Sequence, residues 1–343
     1  MAESNLDYSR ASTEFKELFK ISFRFYVNAE KNKQIYKNPD NVKSVKRLIE
    51  LYYRIINPNY EKIDALYENF KKVYILTEAN VEKNNSDEEK QGLGLIYDYI
   101  REYDTSGGEF NLLVESMKIH QKLYEVLDKR NNSERINSMN EARNLLFEAK
   151  KESNINKYKE AKEILKRLGD APNFGGRLRK DPVTLNKTDI EVPDASEAVA
   201  YINSYNTPEK IEEFKNAVES MDIFSFIDYC VKISADLIKY QPFQDGNKRT
   251  IRGLLNLMFK YKNIPPVYIK NDERDAYKDA LISAMKDGNY KDLQQFYYFK
   301  VCDSIYVLDF RNYDTGRSAE TTSTDLLTTR EDNLLATKTR GEV

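Results

Sequence analysis

Residues 240–252 read YQPFQDGNKRTIR: a proline and an aromatic, a Gly-Asn turn, then cations at 248, 249 and 252 leading into an apolar run. A Gly-Asn turn at the mouth of a helix leaves several backbone N–H groups pointing at one spot, and the helix dipole adds partial positive charge there. Anions bind at such places. Arg249 and Arg252 lie three residues apart, on one helical face, where both can fork toward phosphate oxygens. Lys248 adds a flexible charge. Asp245, at the edge of the turn, is placed to hold a magnesium ion bridging phosphates. Pro242 and Phe243 read as a rigid approach followed by an aromatic anchor. Together with Gly246 and Asn247 the string predicts a nucleoside triphosphate site that lacks the lysine-serine pattern of a P-loop. The simpler reading is a helix-starting turn whose arginines only meet surface carboxylates. It would explain any one of these residues alone.

Around this stretch, helical spacing dominates. Upstream, Phe226, Ile227, Cys230, Ser234 and Ile238 share one broad face; downstream, Ile251, Leu254, Leu255 and Met258 repeat the three-and-four interval. Thr207 reads as an N-cap with Pro208 in the first turn. Asp272 reads as the cap of a helix that Gly288 ends. The exception is Gly176 to Pro193, glycine-bearing and then β-branched, which predicts a short β-hairpin.

These patterns predict a mainly α fold in three parts. Residues 1–90 form an N-terminal helical region closed by a polar linker at 83–91. Residues 91–311 form the core domain, with a lysine- and asparagine-rich helical insertion at about 128–170. Residues 312–343, poor in large apolar side chains, read as a disordered tail.

Composition excludes several functions. The 343 residues carry a formal charge of −2 at pH 7, so no nucleic-acid or membrane footprint is expected. Two widely separated cysteines and one histidine argue against a disulfide scaffold and a zinc site. No apolar run approaches the ~20 residues of a membrane helix. The N-terminus lacks a signal-peptide pattern, and a cytoplasmic location is expected.

The motif carried by Pro242, Phe243, Asp245, Gly246, Asn247, Arg249 and Arg252 resembles the signature of the Fic (Fido) family, His-Pro-Phe-x-Asp/Glu-Gly-Asn-Gly/Lys-Arg-x-x-Arg. The resemblance extends over roughly 92–299 and implies a Fic-type helical core with a hairpin flap. Members typically transfer AMP from ATP to a hydroxyl of a target protein. Carried over, Asp245 would hold Mg2+, Gly246 and Asn247 would cradle the phosphates, Arg249 would grip the β-phosphate and Arg252 the γ-phosphate. The flap would align a target protein by strand-like pairing, presenting a Tyr, Ser or Thr hydroxyl. A homo-oligomer is left open.

This chain departs from the signature at its first position. Gln241 stands where the family's catalytic histidine would be, and an amide has essentially no basicity at neutral pH. A rate loss of at least ~10²- to 10⁴-fold follows. The remaining histidine, His120, has Met117, Leu123 and Leu127 as helical neighbours and reads as a core residue. Lys248 opens an alternative. Doc-like relatives carry lysine there and are thought to bind the nucleotide in the opposite sense, passing on the terminal phosphate. A non-catalytic nucleotide-binding protein is the third reading. Many Fic proteins also carry a helix whose glutamate pairs with the second arginine of the signature. Here DALYENF places Glu68, with Asp64 in the usual Ser/Thr position, as the expected inhibitory residue.

Overall fold

The computed structural model describes residues 35–55, 67–82, 86–106, 109–152, 154–167, 175–185 and 188–309. The expected disordered tail lies outside the described residues. After a 3-10 turn at Ile35–Lys37 come α1 (Pro39–Ile55), α2 (Tyr67–Glu82), α3 (Asp87–Glu102), α4 (Leu112–Glu152) and α5 (Ile155–Arg167). They are followed by α6 (Ala195–Ser204), α7 (Pro208–Ser220), α8 (Ile223–Tyr240), α9 (Asn247–Lys260), α10 (Arg274–Asp287) and α11 (Lys291–Asp309). The fold is mainly α, as the spacing predicts.

The caps follow local chemistry. Thr207 accepts from the Lys210 N–H ahead of Pro208, as expected, and Asp222 accepts from the N–H groups of Phe224 and Ser225 to start α8. Gly288, at φ 65°, ends α10. Asp272 does not cap that helix. It lies inside a 3-10 turn at Asn271–Glu273, stabilised by Glu273 accepting from the Lys270 N–H. The linker expected at 83–91 is helical from Asp87, because Ser86 accepts from the Glu89 N–H and N-caps α3.

Around α9 the rest is assembled. Every residue of that helix except Lys248 is buried, and α8, α4 and α3 pack against it. A helix enclosed on all sides must satisfy its polar groups within the protein. Asn256 does so by accepting from the Val267 N–H at 2.8 Å and donating to the Val267 carbonyl at 3.0 Å. At the C-terminal end, Lys260 donates to the carbonyls of Ile100 at 3.0 Å and Tyr103 at 2.6 Å, groups left open where α3 ends. The close α3–α4 approach depends on Gly92, where a Cβ would fall 2.1 Å from the Leu123 carbonyl oxygen.

One hydrophobic core runs from Tyr36 through Ile305. The N-terminal helices therefore share the core of the rest: Val45, Leu48, Ile49 and Tyr52 of α1 are almost fully buried, and α1 packs on α11. The far end of α4 and α5 form a hairpin with its own small cluster of Ala142, Ala161 and Ile164, within the stretch 128–170.

The expected β-hairpin is not formed as paired strands. Among the described residues of 175–194 the sole ladder contact is an isolated antiparallel bridge from Leu178 to Phe243. The backbone N–H of Arg179 donates to the Pro242 carbonyl of the loop before α9, while the bonds inside the segment, such as Thr188 N–H to the Leu185 carbonyl, are turn contacts and not a ladder.

Candidate phosphate-binding site

The loop at 241–246 joins the C-terminus of α8 to the N-terminus of α9. Gly246 takes φ 73°, a left-handed conformation open to glycine, and as the N-cap it supplies no side-chain acceptor. The first-turn N–H groups of α9 are thus left for an anion. A Cβ at Gly246 would lie 2.8 Å from Leu123 Cδ2 and 2.9 Å from Tyr124 Cε2. Glycine is therefore required twice, by backbone angle and by space.

The loop is braced from within and below. Asn247 Oδ1 accepts from the Phe243 N–H at 2.8 Å, and Asn247 Nδ2 donates to the Phe243 carbonyl at 2.7 Å. Its side chain closes the loop, so Asn247 can offer an anion its backbone N–H but not its amide. Phe243 is fully buried and stacks on His120, with ring centroids 4.0 Å apart and planes at 8°.

His120 is the core histidine its neighbours predict, and both ring nitrogens are used. Nδ1 accepts from the Gly176 N–H at 3.0 Å, which leaves Nε2 to donate to the Asp245 carbonyl at 3.0 Å. Burial lowers its pKa to about 4, so the ring is neutral. With no lone pair to spare, it cannot act as a general base.

Asp245 keeps an exposed carboxylate, at 69% of the side chain. Oδ2 accepts from the Tyr124 hydroxyl at 2.9 Å, and Oδ1 from the Gly246 N–H at 2.6 Å and Arg249 Nη2 at 3.3 Å. Burial of the loop would raise this carboxyl, but the Arg249 charge and the Gly246 N–H outweigh it and hold the pKa below the ordinary value. Among the described residues no group of three His, Cys, Asp or Glu side chains could hold a metal ion. One exposed, ionised carboxylate suits a hard cation whose other ligands are phosphate oxygens and water.

The cations of the motif are all matched by carboxylates from α2 and α3. Arg252, 4% exposed, donates through Nε to Glu78 Oε2 at 2.5 Å and through Nη2 to Glu82 Oε1 at 2.9 Å. Its buried Nη1 has no hydrogen-bond partner among the described residues, and the guanidinium carbon lies 5.8 Å from the Tyr277 ring centroid. Lys248 pairs with Glu82 Oε2 at 3.0 Å. Arg249 is bound to Glu89. Burial would raise the Glu82 carboxyl, but Arg252 and Lys248 together hold its pKa at about 2. Burial outweighs Arg252 at Glu78 and raises its pKa.

The side chain of Glu68, like the whole of Asp64, lies outside the described residues. Glu68 belongs to the first turn of α2, ten positions before Glu78, or ~15 Å along the axis. The pairing with Arg252 expected of Glu68 is made by Glu78 and Glu82. Their spacing was the available signal. Two acids four apart on α2 face a lysine and an arginine four apart on α9, and such positions share a helix face. Glu89, Tyr124 and Arg179 are further site residues that the motif did not indicate.

Gln241 ends α8 in the left-handed region, at φ 48° and ψ 62°. Its Nε2 donates back to the Ile238 carbonyl at 2.5 Å, and the residue is 7% exposed. The amide caps the helix it ends.

The family model described as the Fic/DOC family matches residues 154–259, which include the whole loop and most of α9. No curated protein matches the chain. Among solved structures the chain is similar to Fic-1 from C. elegans, at 14% sequence identity and a TM-score of 0.49, covering 78% of this chain and 69% of that one. No helix of the described residues is long and apolar enough to cross a membrane.

Proposed function

We propose that this chain is a Fic-type protein adenylyltransferase scaffold that binds ATP at the N-terminus of α9 and is silenced twice. The observation that carries the reading is the conjunction inside the family match: an uncapped Gly246 at φ 73° heads a helix with Arg249 and Arg252 on one face. Asp245 would hold Mg2+, the first-turn N–H groups and Arg249 would take the inner phosphates, and Arg252 the terminal one. Bound there, the ion supplies neutralisation of phosphate charge. The acceptor would be a hydroxyl of a target protein.

The first silencing is chemical. Gln241 cannot accept the proton an attacking hydroxyl sheds, and its amide is already spent on α8. The second is electrostatic. Glu78, Glu82 and Glu89 occupy the cations a triphosphate would need, so nucleotide must compete with carboxylates already in place.

Two further readings stay attached to particular residues. Lys248 stands half-exposed at the site, tied to Glu82, and supports a Doc-like transfer of the terminal phosphate. The inward amide of Gln241 supports a nucleotide-binding protein without catalysis. One experiment separates all three. The chain and its Gln241→His variant, each with Glu78→Gly, are titrated with ATP and Mg2+ by calorimetry and incubated with ATP labelled at the α- or γ-phosphate. α-Label on protein from the histidine variant supports AMP transfer, and γ-label alone supports the Lys248 reading. Binding without label leaves the non-catalytic reading. No binding at millimolar nucleotide refutes all three.

A further inference from the structure

Arg179 is 3% exposed, yet among the described residues none of its hydrogen bonds goes to a carboxylate. Its partners are backbone carbonyls from three places. Nε donates to Gln241 at 2.7 Å; Nη1 to Asp181 at 3.1 Å; Nη2 to Tyr240 at 3.3 Å, to Asp194 at 3.1 Å and to Pro193. Its own N–H donates to the Pro242 carbonyl at 2.9 Å. The nearby Asp194 carboxylate is used elsewhere, accepting from the Glu197 N–H as the N-cap of α6.

A buried guanidinium whose hydrogen bonds go to carbonyls is an unusual use of charge; the Asp194 carboxylate acts on it through space, without a hydrogen bond between the two side chains. Geometry explains it. The last carbonyls of α8 have no helical partner, and Gln241 turns the chain away in a conformation that few non-glycine residues adopt. Five N–H donors in a rigid fork can serve those carbonyls and both ends of the 179–194 segment at once. Lysine cannot, having one small ammonium head. On the other side of the loop, His120 joins Gly176 to Asp245, and Leu178 bridges Phe243.

We infer that Arg179 is a positioning residue that keeps residues 178–181 and 193–194 in register with position 241, so that an acceptor lying along 178–181 meets the reacting position. The inference rests on the transfer reading above. It assigns Arg179 no contact with nucleotide, because the phosphate-binding groups stand on α9, beyond the carbonyls that Arg179 holds.

The test compares Arg179→Lys and Arg179→Gln in the Gln241→His, Glu78→Gly chain. Label transfer at saturating ATP should fall about 10- to 100-fold, as misplacement of reacting groups by ~1 Å does. ATP affinity should change less than about twofold, because that binding does not depend on the register. Lysine should not rescue. Unchanged transfer would overturn the inference, as would transfer and ATP affinity falling together, which marks a general collapse of the loop. A second measurement needs no activity. In the chain with Gln241 in place, Arg179→Lys should speed amide hydrogen exchange at 175–185 and 240–246 and leave α1 and α11 unchanged. Unaltered exchange at those segments, or a rise throughout, would also overturn it. A parent that transfers no label counts against the transfer reading, and the exchange data then decide the Arg179 link alone.

Discussion

Replacing Glu78 by alanine should destabilise the nucleotide-free protein and tighten its hold on ATP, two effects of opposite sign from one atom pair. Glu78 and Arg252 are 1% and 4% exposed and meet at 2.5 Å. Removing one member of a buried ion pair strands the other charge and costs about 3–5 kcal/mol. Glu82 still reaches Nη2 at 2.9 Å, so the lower end applies, about 3 kcal/mol, or a melting temperature roughly 6–12 °C lower. The stranded guanidinium then lacks an anion that a terminal phosphate can supply. A hydrogen bond to a charged group is worth about 1.5–3 kcal/mol, which corresponds to ATP binding about 10- to 100-fold tighter than in the parent. Scanning calorimetry without nucleotide reads the first effect, and titration calorimetry with ATP and Mg2+ reads the second. Glu78→Gln keeps the volume and an acceptor while removing the charge, and should fall between parent and Glu78→Ala in both. A lower melting temperature with unchanged ATP affinity would refute the reasoning: Glu78 would then be only a structural partner of Arg252, and Arg252 no part of a phosphate site.

Gly246→Ala forces a Cβ against Leu123 and Tyr124 at φ 73°; it should cost about 1–3 kcal/mol of stability and weaken ATP binding, both readable by calorimetry. Glu82, held near pKa 2 against an ordinary 4.5, contributes about 3 kcal/mol of stability that is present above pH 4.5 and is lost as pH falls through 2. Glu82→Gln should therefore be less stable than the parent at pH 7, and urea unfolding should show the gap shrinking toward pH 2; a gap constant with pH would count against the pairing. His120→Ala removes the hydrogen bonds to the Gly176 N–H and the Asp245 carbonyl, both only part-buried, at about 0.5–1.5 kcal/mol for each. His120→Gln, with one acceptor and one donor, should recover much of that loss in thermal unfolding.

The sequence alone shows the helices and the Gly-Asn turn that heads α9, because both are written in short-range chemistry. Three-and-four spacing marks the apolar positions of α8 and α9, and Gly246, Arg249 and Arg252 mark an uncapped helix N-terminus with two arginines on one face within seven residues. The amide at position 241, which the proposed function reads as a missing base, is likewise legible without any coordinates. What the loop does with those residues depends on groups distant in the chain. Arg252 meets Glu78 and Glu82 across about 170 residues, and Arg249 meets Glu89 across 160. The partners of Arg252 were not legible for this reason: a Glu-Asn pair in an amphipathic stretch carries no information about which turn of α2 faces α9. The 176–193 segment fails as a hairpin on the same grounds. Its β-branched residues can pair with any exposed edge, and the buried fork of Arg179 ties both ends of the segment to the carbonyls of Tyr240 and Gln241, contacts that no local pattern announces.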